Sequence, residues 1–403
     1  MHQIKACIFF LLIISSPFNR TLSQDIKPSK IVLLEPEFMM GSIIPIYDSF
    51  PVSSPRKSFF LNFGILHTDT SKHWAKYYKF PTVGISLAYS DLGNRKILRK
   101  EFSIIPYIIL KTSRDQRKSI DFKIGLGGSY FNNPFDPVRN PDNKIIGSDF
   151  TWTFQFFLYK KFHVTDWMNF KIGFGLQHSS NAHTTIPNYG MNSAMVSIAT
   201  QFVTKKYNPE FALKYDNLKT EKNNHYFLQT RLGYGWHELG GTWGPVGGKD
   251  YPVNSYALSG GIIFKRHFKL SAGFTYRFYH SFYDFLLHNT SKIGLGDNPR
   301  SEASNWIVYT GLEFLIGHLG MDMEIGYNLY KPFYAEFNNR WDLNKGFEYW
   351  RNKYIATRLG LKLYLISNER MPRHNIYIGT HINANFGKAD FMDMSLGYTF
   401  LIK

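Results

Sequence analysis

His178 and Ser180 are two residues apart near the end of an alternating stretch, KIGFGLQHSSNAHTTIPNYGMN, which runs from Lys171 to Asn192. A serine hydroxyl is a weak nucleophile at neutral pH. An adjacent imidazole activates it by taking its proton and later returning that proton to the leaving group. Alternate residues of a strand share a face and lie ~7 Å apart at Cα, so the two side chains can meet. The pair predicts serine esterase chemistry, although His and Ser are also common as plain polar residues at strand ends.

The pleat of this strand decides which serine is available. Phe174 and Leu176 share a face with His178 and Ser180, whereas Ser179 lies on the opposite face. If the apolar face meets lipid, the His–Ser pair points at the membrane, just above the hydrocarbon layer. Ser180 is therefore the predicted nucleophile.

A serine esterase also needs donors for the oxyanion that forms on the ester carbonyl. Asn181 and the backbone N–H groups of the turn that follows are the predicted donors. His183 is a second basic residue in that turn, and we interpret it as a solvated loop histidine rather than as a second base.

Alternation of apolar and polar residues recurs along most of the chain, as in strands that cross a hydrocarbon layer. We predict an all-β fold: a transmembrane antiparallel β-barrel of about 14 strands, with a range of about 12 to 16, over residues 24–403. The candidate strands are 34–45, 57–68, 79–90, 98–111, 119–131, 148–162, 167–180, 192–203, 225–237, 254–265, 268–280, 305–317, 320–330, 354–366, 374–386 and 391–402.

Connection lengths give the predicted strand directions. Long connections at 132–147, 238–253, 281–304 and 331–353 alternate roughly with short turns, as external loops alternate with periplasmic turns in such barrels. The strand at 167–180 then runs outward, and His178 and Ser180 lie at its external end. The basic segment 204–224 does not fit this scheme.

The first residues indicate export. Lys5 precedes a short apolar run from Ala6 to Ile14, followed by small residues, which is the order of a secretory signal peptide over 1–23. The single cysteine, Cys7, lies in this segment. The mature chain would therefore have no cysteine, which excludes a disulfide scaffold, thiol catalysis and Cys-zinc sites.

Composition narrows the class further. Aromatic residues make up 17% of the chain, including 26 Tyr and 36 Phe, and the formal net charge is +17. An exported, aromatic-rich chain without a long apolar segment fits the cell outer membrane. The positive charge favours an anionic partner such as the phosphates of lipopolysaccharide, and export argues against nucleic acid.

The run from Gln177 to Asn192 resembles the active-site segment of the PagL-type lipid A deacylases, also called acyloxyacyl hydrolases. The resemblance is strongest over about 120–203, and it implies an outer-membrane barrel whose Ser-His-acid triad faces lipid and cleaves an ester-linked acyl chain of lipid A. The matching positions are His178, Ser180, Asn181, Pro187, Asn188, Gly190 and Asn192.

This chain departs from the family pattern in two ways. Founding members are barrels of eight strands, and this chain is more than twice as long, so its second half must enlarge the barrel or add another feature. The acidic member of the triad falls at Asn192. An amide can hold the imidazole but cannot offset the imidazolium charge, so we expect slower turnover rather than none. A carboxylate elsewhere, such as that of Asp149, is an alternative third member.

The predicted function is thus an outer-membrane serine esterase acting on lipid A, with His178, Ser180 and Asn192 catalytic and no cofactor or metal. One alternative is a porin or transport barrel with a basic lumen, since Arg231, Arg277, Arg358 and Lys362 fall on inward faces. Alternatively, these four cations are paired with carboxylates inside the barrel. A structural or adhesin barrel with Trp-rich loops is a third possibility. The oligomeric state is not predicted.

Overall fold

The computed structural model describes residues 31–113, 118–204, 224–241, 244–289, 294–341 and 346–402. The predicted signal peptide over 1–23, including Cys7, lies outside the described residues, as does nearly all of the segment 204–224.

The first eight strands close into a barrel of their own, in which each strand pairs with the next and the eighth pairs with the first. Closure joins β1 to β8 in antiparallel register, with Phe38 opposite Ile198. These strands are β1 (Ile31–Ile43), β2 (Arg56–Leu66), β3 (Thr82–Asp91), β4 (Lys100–Lys111), β5 (Ile120–Phe131), β6 (Phe150–Thr165), β7 (Met168–Ser180) and β8 (Met191–Val203).

The remaining strands close into a second barrel of eight, in which β16 returns to pair with β9. The strands are β9 (His225–Gly241), β10 (Gly244–Phe264), β11 (Phe268–Tyr279), β12 (Ser304–Ile316), β13 (Leu319–Tyr330), β14 (Ile355–Tyr364), β15 (His374–Asn385) and β16 (Lys388–Ile402).

Short helices occupy several connections. They are α1 (His73–Tyr77), α2 (His280–His288), α3 (Pro299–Glu302), α4 (Pro332–Trp341), α5 (Phe347–Tyr354) and a 3₁₀ turn (Asn368–Arg370). In the part of the chain that the structure describes, no helix has the length and apolar character needed to cross a membrane.

The predicted all-β barrel class is confirmed, and each of the sixteen candidate segments overlaps a strand. The closure differs from the prediction: in the part of the chain that the structure describes, sixteen strands form two barrels of eight, not one barrel of about 14. Alternation identifies a strand but not its partner, and here β8 turns back to β1 instead of continuing the sheet. The predicted long loop at 238–253 is also wrong, because most of it extends the β9–β10 pair.

Both barrels carry apolar side chains outside and polar side chains inside. On β7 the alternate residues Phe174 and Leu176 are 61% and 54% exposed, whereas the inward residues Lys171 and Ser179 are fully buried. A soluble protein would bury the apolar face instead. Outward apolar residues on alternating strands are the pattern of barrels that span a lipid layer.

The interior of the first barrel is filled by buried ion pairs and hydrogen bonds. Arg56 Nη2 lies 2.7 Å from Glu101 Oε2, and Lys171 Nζ lies 2.9 Å from Glu35 Oε2. All four side chains are nearly or wholly inaccessible to solvent. Each of these four buried charges thus has a partner, which is the condition for holding charges inside a barrel.

The second barrel pairs the four inward cations on which the porin alternative rested. Arg358 Nη2 lies 3.0 Å from Asp393 Oδ1, and Lys362 Nζ lies 2.9 Å from Glu313 Oε2. Arg231 pairs with Glu324 and Arg277 with Asp390 in the same way. These guanidinium and ammonium groups are buried against carboxylates and do not line an open basic channel.

The two barrels contact each other at both ends, and at each end the corresponding ends of the two barrels meet. At the end where β1 begins and β8 finishes, the backbone N–H of Trp74 in α1 donates to Glu369 Oε1 at 3.3 Å, and Tyr78 Oη donates to His267 O at 3.2 Å. At the opposite end, the loop after β7 contacts the end of β9, with Ile186 N donating to Glu238 Oε2. The barrels therefore lie side by side with the same direction.

Candidate active site

The predicted catalytic residues lie where β7 ends and β8 begins. In the antiparallel register of these strands His178 is opposite Asn192, and on the other side of β7 Trp152 is opposite Ser180. The connection between the strands, residues 181–190, turns back over this end of the barrel, and we call it the 181–190 loop.

His178 is held by its cross-strand neighbour. The distance from His178 Nδ1 to Asn192 Oδ1 is 2.8 Å. Because an amide oxygen can only accept, Nδ1 carries the ring proton and the lone pair is left on Nε2. The structure therefore brings Asn192 to the position of the orienting third residue. In the described residues, no hydrogen bond links His178 to a carboxylate, and Asp149 makes no such contact.

Ser180 accepts two hydrogen bonds from the 181–190 loop. Ala182 N donates to Ser180 Oγ at 3.1 Å, and Asn188 Nδ2 donates to it at 2.9 Å. Both acceptor positions of the hydroxyl are taken, which leaves its proton as the group to donate. Ser180 is 5% exposed, so these donors act where water is largely excluded.

Gly190 lies between the two candidate catalytic side chains. A Cβ placed on this residue would be 3.0 Å from His178 Cε1 and 3.4 Å from Ser180 Cβ, and its φ of +76° is in the left-handed region. The imidazole of His178 and the side chain of Ser180 therefore both lie next to Gly190. No direct His178–Ser180 hydrogen bond is formed among the described contacts, as is common in catalytic pairs without substrate.

Ser179, the rejected neighbour, faces the interior. Its hydroxyl lies 2.9 Å from Thr153 Oγ1 and 3.3 Å from Glu101 Oε1, and it is fully buried. The pleat thus separates the two adjacent serines as the alternation predicts, with Ser180 on the outward register beside Trp152.

Asn181 has a different contact set from the one expected of an oxyanion donor. Its Nδ2 donates to Thr185 O at 2.7 Å and to Ser148 Oγ at 3.2 Å, and its Oδ1 accepts from His183 N at 3.0 Å. The side chain therefore shapes the 181–190 loop. Asn188 and the backbone of Ala182 supply the donors that reach Ser180.

His183 is not the solvated loop histidine that the sequence indicated. It is buried, and its ring stacks on that of His237 in the second barrel, with centroids 5.5 Å apart and an interplanar angle of 25°. Burial, together with the nearby His237, lowers the pKa of His183 to about 3. It is therefore neutral at physiological pH and packs between the barrels.

Sequence reasoning did not anticipate the direct contact of Asn188 with Ser180. Asn188 was visible as part of the Pro-Asn-x-Gly pattern, but its distance from the serine depends on how the 181–190 loop folds back. The loop is fixed against the preceding connection, since Gly190 N donates to Ile145 O at 2.9 Å and Tyr189 N donates to Lys144 O at 3.1 Å.

No group of three or more potential metal-ligating side chains is found in the described portions of the chain. The arrangement consists of a hydroxyl, an oriented imidazole and two neutral donors. This set of groups suits acyl transfer through a serine.

A transmembrane-type barrel with a His–Ser pair on its outward register is the class that this fold and site define. Residues 62–201, which form most of the first barrel, match the family model described as lipid A 3-O-deacylase (PagL). The resemblance indicated by the run from Gln177 to Asn192 is confirmed.

No curated protein matches the sequence significantly. Among solved structures, the outer membrane protein opdK from Pseudomonas aeruginosa is 9% identical, with 93% of this chain and 99% of that chain covered and a TM-score of 0.22. OccAB4 from Acinetobacter baumannii is 12% identical, with 93% and 97% covered and a TM-score of 0.22.

Proposed function

We propose that this protein is an outer-membrane serine esterase that hydrolyses an ester-linked acyl chain of lipid A in lipopolysaccharide. The observation that carries the proposal is the outward His178–Ser180 pair, with Asn192 bonded to the imidazole, on a barrel that matches the lipid A deacylase family model. Lipid A has the matching chemistry, because its acyl esters lie at the boundary between headgroups and hydrocarbon.

The substrate reaches the site laterally through the outer leaflet. Below His178 and Ser180, the outward faces of β7 and β8 expose Phe174, Leu176 and Val196 to the membrane. Acyl chains can lie along these side chains while the ester remains at the level of the polar residues. A nucleophile on the outer wall of a barrel is thus placed where a lipid ester is found.

Acylation begins when the lone pair on His178 Nε2 takes the hydroxyl proton of Ser180. Oγ forms a bond to the ester carbonyl carbon, and the carbonyl oxygen becomes an oxyanion beside Ala182 N and Asn188 Nδ2. The oxyanion then collapses, the bond to the sugar oxygen breaks, and His178 returns the proton to that oxygen. The products of this step are the acyl-serine and a lipid A hydroxyl.

Water completes the cycle. His178 takes a proton from a water molecule, the water oxygen attacks the acyl carbon, and Ser180 leaves with the proton returned by the imidazole. Asn192 keeps Nδ1–H bonded throughout, which leaves Nε2 facing the reaction. It stabilises the imidazolium only as a neutral dipole, and we expect a slower reaction than a carboxylate would support.

The test compares wild type with Ser180→Ala in a bacterium whose lipid A is fully acylated, with lipid A measured by mass spectrometry. Ser179→Ala is the matched control, because this adjacent hydroxyl faces the interior. We expect loss of one acyl mass with wild type and Ser179→Ala, and intact lipid A with Ser180→Ala. Identical spectra from wild type and Ser180→Ala would overturn the proposal.

A further inference from the structure

We propose that Glu238, which belongs to the second barrel, is a positioning residue for the 181–190 loop of the first barrel. This inference rests on the proposed function, because the loop carries the donor that reaches Ser180. It gives the second barrel a role in the reaction of the first.

Glu238 contacts the loop at two points. Ile186 N donates to the carboxylate oxygen Oε2 at 2.7 Å, and the backbone N–H of Glu238 donates to His183 O at 3.3 Å. Glu238, His183 and Ile186 are all buried. The carboxylate therefore holds a backbone N–H that water reaches poorly, and a charged acceptor makes this bond stronger than a neutral one.

The held backbone leads directly to the serine. Ile186 is followed by Pro187 and then by Asn188, whose Nδ2 lies 2.9 Å from Ser180 Oγ. On its other side the loop is fixed within the first barrel, where Gly190 N donates to Ile145 O at 2.9 Å. Glu238 thus fixes the loop from the second barrel at Ile186, and Ile186 lies two residues before the donor Asn188.

Packing around Glu238 leaves little room for a substitute. A Cβ placed on Gly240 would be 2.5 Å from Ile186 Cδ1, so β9 and the loop are in close contact here. His183 and His237 stack beside the same contact. A water molecule cannot enter easily when the carboxylate is removed, and Ile186 N–H would remain buried and unpaired.

The test uses the full chain with Glu238→Ala, Glu238→Gln and the control Glu302→Ala. The glutamine keeps an oxygen acceptor for Ile186 N. Glu302 is a matched control because its Oε2 accepts from Gly296 N, also at 2.7 Å, within the second barrel alone. Three measurements are made: steady-state deacylation of lipid A, the rate at which a fluorophosphonate labels Ser180, and hydrogen exchange of residues 181–190.

We expect Glu238→Ala to lower kcat about tenfold or more with KM unchanged, in line with the loss of a buried hydrogen bond to a charged group. Labelling of Ser180 should slow in parallel and exchange of the loop should quicken. The kcat of Glu238→Gln should stay within about threefold of the wild-type value. The kcat of Glu302→Ala should equal that of wild type. If Glu238→Ala loses the heat-resistant gel migration of a folded barrel, Glu238→Gln is compared with a Glu238→Leu variant instead.

Two outcomes overturn the inference: Glu238→Ala behaves like Glu302→Ala, or Glu238→Gln is as impaired as Glu238→Ala. Failure of the proposed function looks different, since wild type itself would then neither deacylate lipid A nor be labelled at Ser180. In that case hydrogen exchange decides the positioning role alone, and unchanged exchange in Glu238→Ala refutes it.

Discussion

Asn192→Asp should make the enzyme faster. Asn192 Oδ1 lies 2.8 Å from His178 Nδ1, so an aspartate in the same rotamer would place a carboxylate oxygen on the same ring proton. During acyl transfer the imidazole becomes positively charged. A carboxylate then gains an attraction that the amide lacks, and this gain is largest in the transition state.

The expected rise in kcat can be worked out from the hydrogen bond between residue 192 and His178. A hydrogen bond between neutral groups contributes ~1 kcal/mol, and one to a charged group contributes ~1.5–3 kcal/mol. Two unit charges ~4 Å apart attract by ~4 kcal/mol at an effective dielectric of ~20, which is an upper limit. Desolvation of the new carboxylate, which is partly buried, cancels part of this gain. A net ~1–2 kcal/mol corresponds to a rise in kcat of about tenfold.

The assay is a time course of lipid A deacylation with purified protein in detergent micelles, with products quantified by mass spectrometry. Asn192→Ala is the companion variant, and it should lower kcat at least about tenfold because the ring loses its orienting bond. If Asn192→Asp is no faster than wild type while Asn192→Ala is slower, the argument from imidazolium charge is wrong. If neither variant differs from wild type, His178 is not the base.

Four further predictions concern the site and the barrel interiors. Asn188→Ala removes a donor to Ser180 Oγ and should lower kcat about a hundredfold in the same time course; an unchanged rate would exclude an oxyanion role. Gly190→Ala should lower activity at least about tenfold, since the new methyl group would lie 3.0 Å from His178 Cε1 at a φ of +76°. Glu101→Gln leaves Arg56 without its carboxylate and should lower the free energy of unfolding by ~3–5 kcal/mol, measured by urea unfolding in lipid vesicles; a variant as stable as wild type would contradict the buried ion pair. In planar bilayers wild type should give no anion-selective current, because Arg231, Arg358 and Lys362 are paired with carboxylates; a steady current of that kind would instead favour a pore.

The strands and their faces could be predicted from the sequence because alternation is a local property. Each outward apolar residue of β7 is separated from the next by one inward residue, so the register of Phe174 and Leu176 carries forward to His178 and Ser180 without knowledge of any partner strand. The cross-strand position of Asn192 could be anticipated only through the resemblance, which places it two residues after Gly190.

Closure and loop geometry could not be predicted in this way. Whether β8 pairs with β1 or continues to β9 depends on hydrogen bonds between distant segments, and both choices satisfy the same alternation. The contacts of Asn181 and Asn188 depend on how the 181–190 loop folds back over the barrel. Glu238 reaches that loop from another sheet, so no spacing in the sequence indicates it.

Separate closure makes the β-sheet hydrogen bonding of each barrel independent of the other. Every ladder in the described residues begins and ends within its own set of eight strands, and β1 meets β8 just as β9 meets β16. A deletion or exchange of the second ring would leave no unpaired edge on the first. The second barrel can therefore be exchanged or removed while the first eight-stranded barrel keeps its own sheet hydrogen bonds.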